Sequence, residues 1–259
     1  MQTNQGAINY DELVSVIMVS YNKKDSLEES IKSVQSQTYQ NWELLIEDDQ
    51  SKDGTINLLM EYLRADKRLK IYQPSQKRGA GKNRSSVLGE ARGRWVAFLE
   101  CGNTWEPNKL ERQVTFMKEN GYLFSYTVCK KVIGGKTVNL SGPEMVSYDM
   151  MKKYCWLDHS TVMYDLKETE VSRIRCSNDN NYYALWLQVS KKADCHLLNE
   201  CLATVGKNRK KKFMWLKKKF RWRYEVYRFV EEQNQIVSAY MTLRNLWYTA
   251  MHRYKNWKN

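Results

Sequence analysis

Apolar residues in the first hundred positions follow two alternating periods. "VSVIMVSYN" (Val14 to Asn22) is a continuous apolar run ending on polar residues, the pattern of a strand buried on both faces. "SLEESIKSVQSQ" follows with helical spacing, Ser26 at the N-cap position and Glu29 three residues on as a capping box. "WELLIEDDQSKDGT" predicts a second strand that stops at Asp48 and Asp49 and turns through Asp53 and Gly54. "TINLLMEYLRAD" reads as a helix, "LKIYQ" as a strand, "AGKNRSSVLGEA" as a helix and "RWVAFLE" as a strand. Strands alternating with helices predict βαβ units and a mostly parallel sheet, an α/β fold. Ligands of such sheets sit beyond the carboxyl ends of the strands, where Asn22, Asp48, Asp49 and Glu100 all fall.

The pattern then changes. "YLFSYTVCKKVIGGKTVNL" alternates, breaks at Gly134-Gly135 and resumes, which predicts a hairpin. "WLDHSTVMYD" predicts an apolar strand containing His159, "NNYYALWLQVSKKA" a helix, and "CHLLNECLATV" a final strand. From Lys210 onward the spacing is helical. Phe213, Leu216, Phe220, Tyr224 and Tyr227 fall three or four apart, as do Tyr240, Leu243, Trp247, Met251 and Tyr254.

Composition narrows the class. The 259 residues suit one large domain with an appendage, and 42% hydrophobic with 27% charged residues is globular. The six cysteines include no CxxC pair, so reduced thiols in a cytosolic protein are the simplest expectation. The N-terminal stretch lacks a secretory pattern, and no apolar run approaches the roughly 20 residues that span a bilayer. The net charge of +13 is concentrated: "GKNRKKKFMWLKKKFRWR" (206–223) holds ten Lys or Arg and no acid. Basic residues interleaved with aromatics point to an anionic partner.

On local pattern, Asp48 and Asp49 can either accept hydrogen bonds from a ligand or cap a turn with Ser51 and Asp53. The order of further segments bears on the choice. "VSVIMVSYN", "LEESIKSVQSQTYQNWELLIEDDQSKDGT", "RGAGKNRSSVLGEARGRWVAFLE", Trp105-x-Pro107-x-"KLERQ", "HSTVMYD" and "YALWLQVSKKADCHLLNECLA" occur in sequence. Together, from about Val14 to Ala203, they resemble the family-2 glycosyltransferases. The resemblance implies the GT-A fold, Rossmann-like with flanking helices, over residues 1–205, followed by a basic helical extension over 206–259. It also implies transfer of a sugar, with inversion, from a nucleoside-diphosphate sugar of the UDP type to a glycan or lipid-linked acceptor in cell-surface polysaccharide synthesis.

Residue by residue, the resemblance sets Ser20, Tyr21 and Asn22 against the nucleobase and Asp48 and Asp49 against base and ribose. Arg78, Lys82 and Asn83 fall in the stretch near the nucleotide. The family's Asp-x-Asp metal motif falls on Glu100 and Gly102, and Gly102 offers no side chain. A hard cation such as Mn²⁺ or Mg²⁺ needs oxygen ligands. Glu100 could still supply one, and the resemblance places a further ligand position on His159, for a metal role that Gly102 weakens or removes. The family's Glu-Asp pair before "LWL" becomes Asn181 and Tyr182, and a Tyr with a pKa near 10 is a poor general base. Asp179, one helical turn earlier, is the substitute if it is not simply an N-cap. These two departures give the rival expectation, a silent GT-A domain that binds nucleotide or a partner transferase.

The basic segment resembles an interfacial helix, so residues 206–228 are expected to meet an anionic membrane surface, at the cytoplasmic face of the membrane. The alternative is that its aromatics pack on the domain and its lysines are solvated. No nucleic-acid recognition motif accompanies the charge.

Overall fold

The computed structural model describes residues 9–133, 136–175, 181–206 and 216–258. Its first half has the expected alternation: β1 (Val14–Ser20), α1 (Lys24–Gln35), β2 (Trp42–Asp48), α2 (Thr55–Ala65), β3 (Leu69–Tyr72), α3 (Ala80–Leu88) and β4 (Trp95–Phe98). The short β5 (Thr104–Trp105) and α4 (Lys109–Asn120) lead into β6 (Phe124–Ile133), which pairs antiparallel with β7 (Lys136–Leu140). The Gly134-Gly135 turn predicted between them lies outside the described residues. Next come β8 (Met145–Val146), α5 (Tyr148–Lys153), β9 (Met163–Asp165), α6 (Leu166–Thr169), α7 (Asn181–Ser190) and β10 (Cys195–Val205). The chain ends in α8 (Leu216–Glu225), a π-helical turn (Val226–Val230) and α9 (Gln235–Lys258).

One sheet runs in the order β3-β2-β1-β4-β9-β6-β10-β5. Strands β3, β2, β1 and β4 are mutually parallel, and β9 joins antiparallel on both sides. The apolar runs are buried on both faces because helices cover both, as a parallel sheet requires. One core layer holds Val16, Leu44, Trp95 and Leu110; the other holds Ile17, Phe98, Tyr164 and Trp186. Val226, Tyr227, Val230 and Met241 belong to the second layer, so the C-terminal helices are seated on the domain.

Two local expectations give way. The helix after β1 starts at Lys24, so Ser26 lies inside its first turn, and no side chain of its own caps it. Its first amides are capped from the next loop: Lys23 N–H donates to Thr55 Oγ1 (3.1 Å) and Lys24 N–H to Asp53 Oδ2 (3.2 Å). Orphan helix donors take any acceptor in reach, and a tertiary one outcompetes the local box. Second, His159 lies on a 3-10 turn (His159–Thr161) rather than on the strand, which starts at Met163. Asp158 bends the chain there, accepting from Ser160 N–H (3.2 Å) through its carboxylate and from Thr161 Oγ1 (2.7 Å) through its carbonyl.

Candidate functional site

Three strand ends and the turn after β4 converge on one side of the sheet. The turn itself, Glu100 to Trp105, is held by polar bonds along its length. Glu100 N–H donates to Ser160 Oγ (3.3 Å) and Gly102 N–H to Ser30 Oγ (2.9 Å). Asn103 Nδ2 reaches the same Ser160 Oγ (2.7 Å), while Trp105 Nε1 donates to the Ser160 carbonyl (2.7 Å). At the end of β10, Gly206 N–H donates to Asn103 Oδ1 (2.9 Å), and a Cβ on Gly206 would lie 2.2 Å from the Gly102 carbonyl. Gly206 is therefore needed for close backbone approach, and the basic run begins one residue beyond it. The turn forms the floor of a cavity of about 570 Å³, walled by Lys23, Asp25, Glu29, Lys131, Asp158 and His159.

At the back of that cavity a charged and aromatic stack fixes Glu100. The Arg84 guanidinium, from α3, is nearly buried and lies 3.1 Å from Glu100 Oε1. It also sits 3.9 Å over the Tyr182 ring, and the other face of the stack holds His159, 3.8 Å from Tyr182 at 16°. Burial alone would raise the Glu100 carboxyl, but Arg84, His159 and the Tyr182 hydroxyl outweigh it and hold it below the ordinary carboxylate range. Burial, aided by the Glu100 charge and opposed by Arg84, pushes the Tyr182 phenol well above its ordinary value. At neutral pH the Tyr182 phenol thus stays protonated and donates a hydrogen bond to Glu100. The Cys101 thiol, pushed by burial to about 12, has no thiolate chemistry at neutral pH.

These residues fit a divalent cation poorly. One carboxylate, Glu100, faces the cavity from the turn with 42% of its side chain exposed, and it is already paired with Arg84. Gly102 adds no oxygen ligand. Among the described residues, no three His, Cys, Asp or Glu side chains gather as a metal site.

The other strand ends lie beside this cavity. Asp48 is fully buried and bonds the turn beyond it: its Oδ2 accepts from Ser51 N–H (2.9 Å) and its Oδ1 from Ser20 Oγ (2.7 Å). Asp49 accepts two backbone amides across the gap to the next loop, Arg78 N–H at 2.8 Å and Gly79 N–H at 3.0 Å. Both carboxylates thus organise the loops of the site. Tyr21 remains exposed, with Lys77 Nζ 3.5 Å over its ring. Asn22 is exposed with φ +49° and accepts from Lys52 N–H through its side chain. Arg78 pairs with Glu47 and donates to Asn83 Oδ1 (3.2 Å), and Lys82 is exposed on the following helix. Asp179 lies outside the described residues, and Asn181 is the first residue of α7.

Sequence reasoning passed over Arg84, Asn103 and Asp158. Arg84 reads as one more basic residue on a helix, because its partner Glu100 is sixteen positions away, beyond β4. Asn103 ties the turn to both Ser160 and Gly206, partners more than fifty residues away.

Comparison with known proteins agrees with the topology. The family model described as Glycosyl transferase family 2 matches residues 15–173. TuaG of Bacillus subtilis, named for teichuronic acid biosynthesis, is 36% identical over 202 residues, spanning 75% of this chain and 79% of TuaG. The UDP-Glc:alpha-D-GlcNAc-diphosphoundecaprenol beta-1,3-glucosyltransferase WfgD of Escherichia coli is 35% identical over 193 residues, 73% of this chain and 74% of WfgD. Two solved structures share the fold. S. aureus TarS 1–349 in complex with UDP-GlcNAc has a TM-score of 0.68 at 18% identity, over 90% of this chain and 71% of that one. The mannosyltransferase PcManGT from Pyrobaculum calidifontis, with GDP-Man and Mn²⁺, has 0.67 at 14% identity, over 92% and 72%.

Proposed function

The chain belongs to glycosyl transferase family 2 and is a GT-A glycosyltransferase, and from that premise we propose that it moves a sugar from a UDP-sugar to a lipid-linked or glycan acceptor, with inversion. The observation that carries the reading is the cavity over residues 100–103, open beside three strand ends and floored by a fixed turn. UDP-Glc in the name of WfgD and UDP-GlcNAc in the TarS structure support the donor class, and the diphosphoundecaprenol in WfgD's name supports the acceptor class.

In this reading the uridine end lies against Ser20, Tyr21 and Asn22, with Asp48 and Asp49 shaping the loops that receive base and ribose. Arg78, Lys82 and Asn83 flank the same end. The diphosphate reaches toward the 100–103 turn. Glu100 and His159 are the residual metal-facing groups, and Mn²⁺ or Mg²⁺ dependence is weak because a single paired carboxylate replaces two. Arg84 keeps a fixed positive charge behind Glu100, and Lys23 and Lys131 stand at the cavity rim. In the transfer step, a base takes the acceptor hydroxyl proton as the new C–O bond forms at the anomeric carbon. The old C–O bond breaks on the opposite face and its electron pair leaves with UDP. Asp179, just before α7, is the proposed base; Tyr182 and Asn181 shape the acceptor side.

Residues 1–205 form the transferase domain in this account. Residues 206–259 form an extension that keeps the enzyme at the cytoplasmic face of an anionic membrane, through 206–228. Among the described residues no helix is long and apolar enough to cross a membrane. The test is transfer of radiolabelled sugar from a panel of UDP-sugars to diphosphate-linked polyprenyl acceptors. Product from one donor, lost in Asp179→Asn, supports the reading. UDP binding with no product from any donor returns the silent-domain alternative.

A further inference from the structure

The last helix is amphipathic the wrong way round. On α9, the row facing the protein is largely polar: Ser238, Thr242 and Asn245 are fully buried beside Met241, and Asn245 Nδ2 donates to the Tyr183 hydroxyl (3.1 Å). The row facing out is apolar: Ile236 (82% exposed), Tyr240, Leu243, Trp247 (58%) and Met251. At 3.6 residues per turn these five fall within an arc of about 80° and run for about 22 Å along the helix. Phe229, on the preceding turn, is also exposed. A stripe of this size is unusual on a surface that meets only water.

We propose that this stripe of α9 is inserted into the headgroup–acyl boundary of an anionic bilayer, lying in the plane of the interface. The inference rests on the proposed lipid-linked acceptor and places the membrane contact on a face beyond the basic 206–228 segment. Three observations choose the occupant. The helix is not apolar enough to span a membrane. The described residues 216–258 hold ten Lys or Arg against three Glu, none of the acids on α9. Cations stand beside the exposed rings, Arg244 over Tyr240 at 5.7 Å and Arg228 over Phe229 at 5.8 Å. Anionic headgroups neutralise such a surface, whereas a symmetric pairing of two copies would bring like charges together. Aromatic rings with a polar handle, Tyr240 and Trp247, suit that boundary.

The experiment is co-sedimentation of the full chain with vesicles, either phosphatidylcholine alone or equal parts phosphatidylcholine and phosphatidylglycerol. The parent is expected to bind the mixed vesicles strongly and the zwitterionic ones weakly. Leu243→Ser with Trp247→Ser is expected to lower partitioning onto the mixed vesicles by about tenfold or more. Ile236→Ser, at the most exposed position, is the milder variant, and a melting curve confirms that each still folds. Equal binding by parent and variants overturns the proposal. So does a parent that light scattering shows to be a dimer which the variants dissociate, since the stripe would then be a self-interface. UDP titration of the same samples separates the two readings. Vesicle binding without UDP binding removes the transferase reading and leaves the membrane face standing; UDP binding without vesicle binding does the reverse.

Discussion

Replacing Gly102 by Asp is the sharpest perturbation of the site. The position has φ +91°, a conformation that costs an L-residue about 1–2 kcal/mol. Space is not the obstacle: a Cβ there meets Ser26 Cβ at 3.5 Å and Oγ at 3.7 Å, ordinary contact distances. The variant should therefore fold, with a melting temperature lowered by about 2–4 °C for each kcal/mol of strain. Its gain is a second carboxylate on the turn whose first, Glu100, is 42% exposed. A unit charge pair at 4 Å is worth about 1 kcal/mol in water and about 4 at an effective dielectric of 20. A half-open pocket falls between, so Mn²⁺ should tighten UDP binding to the variant by about tenfold, or 1.4 kcal/mol. The parent should show only a few-fold effect by calorimetry. A folded variant whose UDP affinity ignores Mn²⁺ would refute the placement of the diphosphate at residues 100–103.

Three further outcomes are expected. Asp49→Ala should weaken UDP binding and destabilise the chain by about 1–3 kcal/mol, because the Arg78 and Gly79 amides lose their acceptor; unchanged titration and melting would remove Asp49 from the site. Lys109 is fully buried, stacked 3.9 Å over Trp105, and its Nζ meets no hydrogen-bond partner among the described residues, so burial holds its ammonium well below its ordinary 10.5. The unfolded chain then binds the extra proton, so stability rises with pH up to 10.5. Lys109→Met should flatten that slope and stabilise by about 1–3 kcal/mol near neutral pH, measured by urea unfolding at several pH values; an unchanged slope would show that Lys109 is charged in place. Replacing Lys217, Lys218 and Lys219 by Glu should release the protein from phosphatidylglycerol vesicles, each basic residue being worth about 1 kcal/mol at such a surface; equal sedimentation would confine the membrane contact to α9.

Much of the fold is legible because parallel strands buried on both faces read as apolar runs, as the Val16–Val19 stretch of β1 and the Leu44–Ile46 centre of β2 do. Tertiary contacts decided the rest. The cap of α1 comes from Asp53 and Thr55, twenty-nine and thirty-two residues from the amides they bind, which no local pattern displays. The candidate site was legible as strand ends, Asp48, Asp49 and Glu100, but not as a charge arrangement. Arg84 reaches Glu100 only once α3 is laid on β1 and β2, so their pairing was invisible in the sequence. The outward apolar stripe of α9 was visible as a period, yet a period names a face without saying which side it turns to.

The most direct measurement is calorimetric titration of the parent chain with UDP, in buffer cleared of divalent ions and again with Mn²⁺. One-to-one binding without metal, tightened no more than a few-fold by Mn²⁺, is the result predicted by a GT-A site in which Gly102 stands where a second carboxylate would be. No UDP binding in either buffer would contradict the nucleotide-sugar reading. Binding that appears only with Mn²⁺ would contradict the account of Glu100 and Arg84.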